Sequence, residues 1–529
     1  MWIYFEQWGI IYMKKLPVGI HTFSQIRNED YLYIDKTQEA YELINNYKYV
    51  FLSRPRRFGK TLFLTTLKEI FEGNKDLFKG LYIYDKYDFK KYPVIRITWQ
   101  GVLSSEQNIL ALLREILTDN ERYLGVDVRN DLSPSLRFSR LIKQTYEKYN
   151  KPVVILIDEY DKPILDNITD APMRRYARDV LKGLYEHIKY NDEYIKFVFL
   201  TGVTKFAKVS VFSGLNNLSD ISLAPQYGNI CGYTQADIDT HFQPYLEGVD
   251  LDDIKRWYDG YNFLKDNVYN PFDILKFCTE GKLFRNYWFE SGTPTFLIRL
   301  MQEKNFFPPD LQSIKVGEEI LHSFDIDNIE LPVLLYQAGY LTIKQAVMLR
   351  GGLYYQLRVP NFEVQKSLNE ELLNKGAPSV IEKVKMQDNL YSALEQADLE
   401  TFKNHLIRAF AYIPYHNYSS NYIAQYEGFY ASVIYTYLYS LNMPFVAEDC
   451  TNQGRIDMSI VVENNVYIIE FKMGTGDGIA QIMEKKYYEK YQNQGKNIYL
   501  VSINFDAEKK NISGFKYVLL KDVQNSRED

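Results

Sequence analysis

Four short segments in the first two hundred residues, Tyr47–Ser53, Pro93–Trp99, Pro152–Ile157 and Tyr194–Leu200, are β-rich and apolar without regular alternation. A sheet with one wet face would alternate apolar and polar residues. Unalternated runs separated by helical spacers instead predict strands buried on both faces, hence a parallel sheet with crossover helices. The fold class is therefore α/β in this part of the chain. The third run ends in Asp158 and the fourth in Thr201 and Gly202. A polar turn separates the first run from a helix-like stretch, Lys60 to Phe71.

That turn reads Ser53-Arg-Pro-Arg-Arg-Phe-Gly-Lys-Thr61. A loop that cradles phosphate needs backbone N–H groups aimed at the anion, a lysine for the β and γ oxygens, and a hydroxyl for Mg²⁺. Gly59, Lys60 and Thr61 supply the second half of this pattern, while Arg54 stands where GxxxxGK[ST] places its first glycine. Arg54, Arg56 and Arg57 either contact phosphates or form a solvated loop face. About a hundred residues on, Asp158 closes a buried strand and can hold a metal, with Glu159 next to it to polarise the attacking water. Thr201, at the tip of the next strand, is a γ-phosphate sensor or a plain strand-end turn.

A second constellation lies near the C-terminus. Ile456–Glu463 and Val466–Lys472 read as two strands around an Asn464-Asn465 turn. Asp457 opens the first strand and Glu470 lies late in the second, so pairing brings both carboxylates toward one hard cation. Lys472, two residues beyond Glu470, projects from the same face and can orient or deprotonate water and stabilise charge on phosphorus. Glu427, on a preceding helix-like stretch, is a further candidate ligand, and Gln481 on the following helix a further polar group. A surface hairpin with a carboxylate–lysine pair has the same short pattern. The apolar run Val466–Ile469 favours a buried edge instead.

Composition narrows the function classes. With 62 basic and 68 acidic residues in 529, the net charge of -6 excludes a globally basic nucleic-acid binder but not a local basic groove. No apolar run reaches the length of a membrane span. Cys231, Cys278 and Cys450 are scattered and form no CxxC, which disfavours a disulfide framework or zinc site and points to a reducing cytoplasm. The six histidines form no HxxxH or HExxH. The aromatic cluster Trp257–Phe263 is read as lid packing rather than a base-stacking platform. Residues 1–12 lack a basic n-region and a cleavage site, and are read as an extension before a second start at Met13.

Taken together, the segments LPVGIHTFSQIRNEDYLYIDKT, RPRRFGKTLFLTTL, VILIDEYDKPI, FLTGVTKF, FSGLNNL, WYDGYNF, YNPFDIL, NYWFESGTPTFLI, YEGFYASVIYTYL, GRIDMSI, IIEFKM and AQIMEKKYYEKY resemble one family. It is that of bacterial AAA-ATPase-like proteins fused to a PD-(D/E)XK nuclease domain. The resemblance covers nearly the whole chain from Met13. It implies a P-loop NTPase core at 13–230, a helical lid at 231–300, a helical connector at 301–397 and a restriction-endonuclease-like α/β domain at 398–529. It implies Lys60 and Thr61 as Walker A residues, with Asp158 and Glu159 as Walker B. It makes Asp457, Glu470 and Lys472 the nuclease triad, with Glu427 and Gln481 accessory. ATP and Mg²⁺ are the expected cofactors, DNA or RNA the expected partner, and the cytoplasm the expected location. No membrane association is expected, and oligomerisation is left open. The alternative reading is a nucleotide-switched regulator or binding module with a catalytically silent nuclease fold.

Overall fold

The computed structural model describes residues 3–6, 9–206, 215, 217–292, 314–317, 330–349, 351–373, 380–411, 430, 431, 434, 435, 437, 438, 445–451, 454–492, 494–506, 508, 509 and 511–525. The chain divides into two compact units, residues 1–302 with 310–364, and residues 303–309 with 365–529.

The first unit is built on five parallel strands: β1 (Tyr49–Ser53), β2 (Val94–Thr98), β3 (Val153–Asp158), β4 (Ile195–Gly202) and β5 (Ser219–Asp220), in the order β2-β3-β4-β1-β5. Every residue of β3 is buried, as expected of a strand covered on both faces. Ser53 pairs with Gly202 and Thr98 with Asp158, so the carboxyl ends of β1 to β4 lie along one edge. That edge is where ligands bind in parallel α/β sheets. The helix Lys60–Phe71 follows β1 directly; Gly59 caps it at φ +88°, a left-handed conformation that glycine adopts without strain.

The aromatic segment Trp257–Phe263 does not form a base-stacking platform. Trp257 and Tyr258 pack with Ile238, Phe242, Ile274 and Phe277 in a core of their own, and Trp257 stacks on Phe284. The segment expected to be a helical connector is not all helix. It contains an antiparallel sheet of β6 (Lys315–Gly317), β7 (Thr342–Leu349) and β8 (Gly352–Arg358), ordered β6-β8-β7. Residues 310–364 belong to the first unit and 365–397 to the second. Near the N-terminus, Ile3–Glu6 and Gly9–Tyr12 pair as a short antiparallel hairpin.

The second unit carries a mixed sheet of β9 (Phe445–Thr451), β10 (Gly454–Val462), β11 (Asn465–Met473), β12 (Asn497–Asp506) and β13 (Asn511–Leu519), in sequence order. All neighbours are antiparallel except β11 and β12, which run parallel across a crossover containing the helix Gly478–Glu484. One face of the sheet packs under the helices Val380–Glu395 and Leu399–Ala411, through Leu394, Phe402, Leu406, Ile469 and Phe505. The other face buries Ile468, Leu500, Ile482 and Tyr487. The hairpin turn is displaced by one residue from the expected Asn464-Asn465. Val462 pairs with Asn465, so the loop is Glu463-Asn464, with Glu463 at φ +46°. Asn465 is withheld from the turn because its buried amide donates to Leu394 O and Glu395 O, at 3.3 and 3.0 Å.

Candidate functional site

Two clusters of charged side chains are built on these sheets, one in each unit.

In the first unit, Lys60 opens its helix and is only 8% exposed. Its ammonium donates to Arg54 O at 2.9 Å and Pro55 O at 2.8 Å, so the loop closes back on the lysine. Burial lowers its pKa, and Asp158 and Asp161 oppose that shift. Asp158 is fully buried at the tip of β3. Its Oδ1 accepts the Glu159 N–H at 3.0 Å, while Oδ2 is buried without a hydrogen-bond partner. A buried carboxylate oxygen with no donor has the character required to accept a cation or its water, and this is the observation that fits Mg²⁺ to the site. Thr61 is half-buried on the next residue of the Lys60 helix. Glu159 sits at φ +51°, unusual for a non-glycine residue, and burial followed by the neighbouring Asp158 raises its carboxyl pKa.

The structure places Lys60, Asp158 and Glu159 close enough to act on one another electrostatically. Thr201 lies on the same strand edge, but its buried hydroxyl donates to Leu52 O at 2.9 Å and so ties β4 to β1. Neither reading of Arg54 describes what it does. It is 1% exposed and points into the protein. Its guanidinium donates to Ser53 O at 2.9 Å, Ser222 O at 2.8 Å and Tyr227 O at 3.1 Å, and lies 3.9 Å from the Phe263 ring centre. Arg54 therefore anchors the loop root rather than a phosphate.

Sequence reasoning also passed over Asp161. Its Oδ2 accepts the Val203 N–H, the Thr204 N–H and the Thr204 hydroxyl at 2.9, 2.6 and 2.7 Å, which fixes the turn after β4. A Cβ on Gly202 would run into Asp161 and Tyr160, so that turn demands glycine. The second aspartate of Asp158-Glu-Tyr-Asp161 was the available signal.

In the second unit, paired residues of β10 and β11 reach from Val462↔Asn465 to Met458↔Ile469. Just beyond, the Asp457 carboxylate takes the place of a ladder partner, its Oδ2 accepting the Phe471 N–H at 2.8 Å. The Asp457 N–H in turn points at Glu470 Oε1, 3.4 Å away, and Tyr435 donates its hydroxyl to Asp457 O at 2.7 Å. Glu470 is fully buried. Burial first, and the Asp457 charge second, push its carboxyl up to about 8. Lys472 offsets part of this, its ammonium lying 3.1 Å from Glu470 Oε2 and 2.7 Å from Phe471 O.

The helix Gly478–Glu484 starts directly over Glu470. A Cβ on Gly478 would stand 2.8 Å from Glu470 Cβ and 2.8 Å from Ser502 Oγ, which itself accepts the Gly478 N–H at 3.0 Å. Gly478 and Ser502 escaped sequence reasoning because only the crossover brings them to Glu470. Two crowded carboxylates beside a main-chain carbonyl form an oxygen donor set suited to a hard divalent cation that completes its shell with water and phosphate. Among the described residues no group of three or more His, Cys, Asp or Glu side chains converges. Glu427 lies outside the described residues, and Gln481 is half-buried on the Gly478 helix.

No helix of the described residues is long and apolar enough to cross a membrane. Residues 17–212 match the family described as "Predicted AAA-ATPase", and residues 425–515 match the "PD-(D/E)XK nuclease superfamily". Over 509 residues the chain is 43% identical to the "Uncharacterized protein in vnfD 5'region" of Azotobacter chroococcum mcd 1, an alignment covering 95% of this chain and 98% of that protein. The chain belongs to the family of AAA-ATPase-like proteins that carry a PD-(D/E)XK nuclease-superfamily domain at the C-terminus.

Proposed function

We propose that the first unit binds and hydrolyses ATP, and that the second cleaves phosphodiesters of DNA or RNA with Mg²⁺, in a reducing cytoplasm. The observation that carries this reading is the meeting of Asp457, fully buried Glu470 and Lys472 at the point where β10 and β11 part. A purely structural hairpin gains nothing from a carboxyl held near about 8. A cation site does, because bound positive charge restores the Glu470 carboxyl to its ionised form. Mg²⁺, held by Asp457 and Glu470, would supply Lewis-acid charge against a phosphate oxygen. Lys472 then has two tasks on the same face: orienting the attacking water and balancing negative charge that develops on phosphorus.

In the nucleotide site Lys60 would leave the Arg54 and Pro55 carbonyls for phosphate oxygens. Thr61 and Asp158 would hold Mg²⁺, and Glu159 would orient the hydrolytic water. We assign these roles to the segment 13–230 and the nuclease role to 398–529.

The test is cleavage of supercoiled plasmid, single-stranded DNA and RNA by the full chain with Mg²⁺ or Mn²⁺. Cleavage should vanish in Asp457→Ala and Lys472→Ala and persist in a surface control. No cleavage of any substrate, or equal cleavage by both variants, defeats the nuclease reading. The alternative is a nucleotide-switched module with a silent nuclease fold, and one feature of the loop bears on how fast its nucleotide turns over. With Arg54 filling the first glycine position, the loop is bolted at its root. That reading predicts ATP binding that Lys60→Ala abolishes, together with no cleavage.

A further inference from the structure

In a regular strand, residues two apart share a face. β10 breaks this rule at Asp457. Met458, Ile460 and Val462 pack in the core under the helices, whereas Ile456 packs in the core on the opposite face. The strand therefore changes faces at the residue that carries the site's first carboxylate. Pairing with β9 holds on both sides of that point, Ala447 with Met458 and Asp449 with Ile456, while pairing with β11 reaches only to Met458. Irregularities of this kind re-aim a side chain.

Asp449 spans the change of face. It is 3% exposed. Its ladder partner is Ile456, on one side of Asp457, yet its Oδ2 accepts the hydroxyl of Ser459, on the other side, at 2.8 Å. Tyr491 donates its hydroxyl to the same oxygen and lies 2.7 Å from Ser459 Oγ, and the Lys490 ammonium meets Oδ1. Burial favours the neutral carboxyl, but Lys490, Tyr491 and Ser459 outweigh it and hold the carboxyl below its usual range. Each carboxylate oxygen thus has a donor, and loss of one strands charge away from water.

Tyr491 and Lys490 belong to the crossover between β11 and β12, whose helix Gly478–Glu484 starts over Glu470. The near end of this crossover is tied beside Glu470 by the Gly478 N–H, which donates to Ser502 Oγ at 3.0 Å. The far end reaches β9 and β10 through Asp449. A Cβ on Gly454 would stand 2.8 Å from the Tyr487 hydroxyl, so the turn between β9 and β10 also rests on this segment. One connection thereby sets the place of both carboxylates.

We propose that Asp449 is a positioning residue of the nuclease site: through Ser459, Tyr491 and Lys490 it fixes the change of face in β10 and so aims the Asp457 carboxylate at the cation shared with Glu470. This deepens the nuclease reading and rests on it for the cation alone. The aim of Asp457 is read without metal, from the Phe471 N–H that donates to its Oδ2 at 2.8 Å.

The experiment is amide hydrogen exchange at Phe471 in the full chain in chelator, with Ile469, which pairs with Met458 in the regular ladder, as internal reference. Asp457→Ala removes the acceptor and sets the full effect. Tyr491→Phe and Asp449→Asn should each raise Phe471 exchange about fivefold relative to Ile469, and add nothing further in the Asp457→Ala background. Ile498→Val thins the apolar core on the same face at the Val466 end of the sheet and should leave the ratio unchanged. An unchanged ratio in Tyr491→Phe and Asp449→Asn overturns the proposal, as does a further rise on top of Asp457→Ala or an equal rise in Ile498→Val. Mn²⁺ binding that Asp457→Ala abolishes should weaken about tenfold in both variants, and equal affinity overturns the proposal too. If wild type shows no such binding, the cation reading fails, while the exchange ratio still decides whether Asp449 holds Asp457 in place.

Discussion

Replacing Arg54 tests whether the loop root is an anchor or a phosphate contact. Arg54→Met keeps the apolar stem and removes the donors to Ser53 O, Ser222 O and Tyr227 O. A hydrogen bond from a charged donor contributes about 1.5–3 kcal/mol, so the three set the upper scale. Burial of the guanidinium, which lowers its pKa, offsets part of this because the charge has left water. Leaving buried carbonyls without donors should cost about 3–5 kcal/mol, a large share of the ~5–15 kcal/mol that holds a typical domain folded. Arg54→Gly restores the general loop pattern in sequence and should lose at least as much. The assay is guanidinium denaturation of the full chain followed by tryptophan fluorescence, with nucleotide titration alongside. Stability within about 0.5 kcal/mol of wild type in either variant would refute the anchoring role. Tighter nucleotide binding by Arg54→Gly would show that the side chain obstructs phosphate.

Three further outcomes are expected. In the metal-free protein the Glu470 carboxyl moves from 4.5 to about 8 on folding, so the folded state holds more protons between these limits. Stability should therefore fall as pH rises from about 4.5 to about 8, by at most about 5 kcal/mol. Calorimetry in chelator should show that decline, Asp457→Asn should lessen it but leave the part due to burial, and Mg²⁺ should stabilise wild type alone; a flat wild-type profile contradicts the buried pair. Gly478→Ala forces a methyl against Glu470 and Ser502, and should cost about 1–3 kcal/mol and most of any metal-dependent cleavage. Undiminished cleavage would show that Glu470 tolerates displacement. Glu159→Gln should suppress ATP turnover while leaving unfolding free energy within about 0.5 kcal/mol, and unchanged turnover removes Glu159 from the chemistry.

What was legible in the sequence was local. An apolar run ending in Asp158 marks a strand tip because continuous burial and a terminal acid leave few other arrangements. The helix Lys60–Phe71 begins and ends where the sequence pattern places it. The thirteen-residue interval from Asp457 to Glu470 spans a hairpin, which explains why two carboxylates far apart in sequence meet. What was hidden depends on distant partners. Asn465 looks like a turn residue until the helix carbonyls some seventy residues upstream claim its amide. Arg54 looks like a phosphate ligand until β5 brings Ser222 beneath it. The β7–β8 hairpin lies in the segment expected to be a helical connector, where the sequence was read as mainly helix. Its register depends on pairs such as Met348 with Leu353.

The lysine ammonium resting on Arg54 O and Pro55 O has a consequence for selectivity. A lysine ammonium already held by two carbonyls offers little to a lone sulfate or inorganic phosphate, since any newcomer must replace two good contacts at once. A chain of linked phosphates can do so by engaging the lysine and the helix-end amides together. If the proposed nucleotide role holds, the same resting contact would favour linked phosphates over small abundant anions.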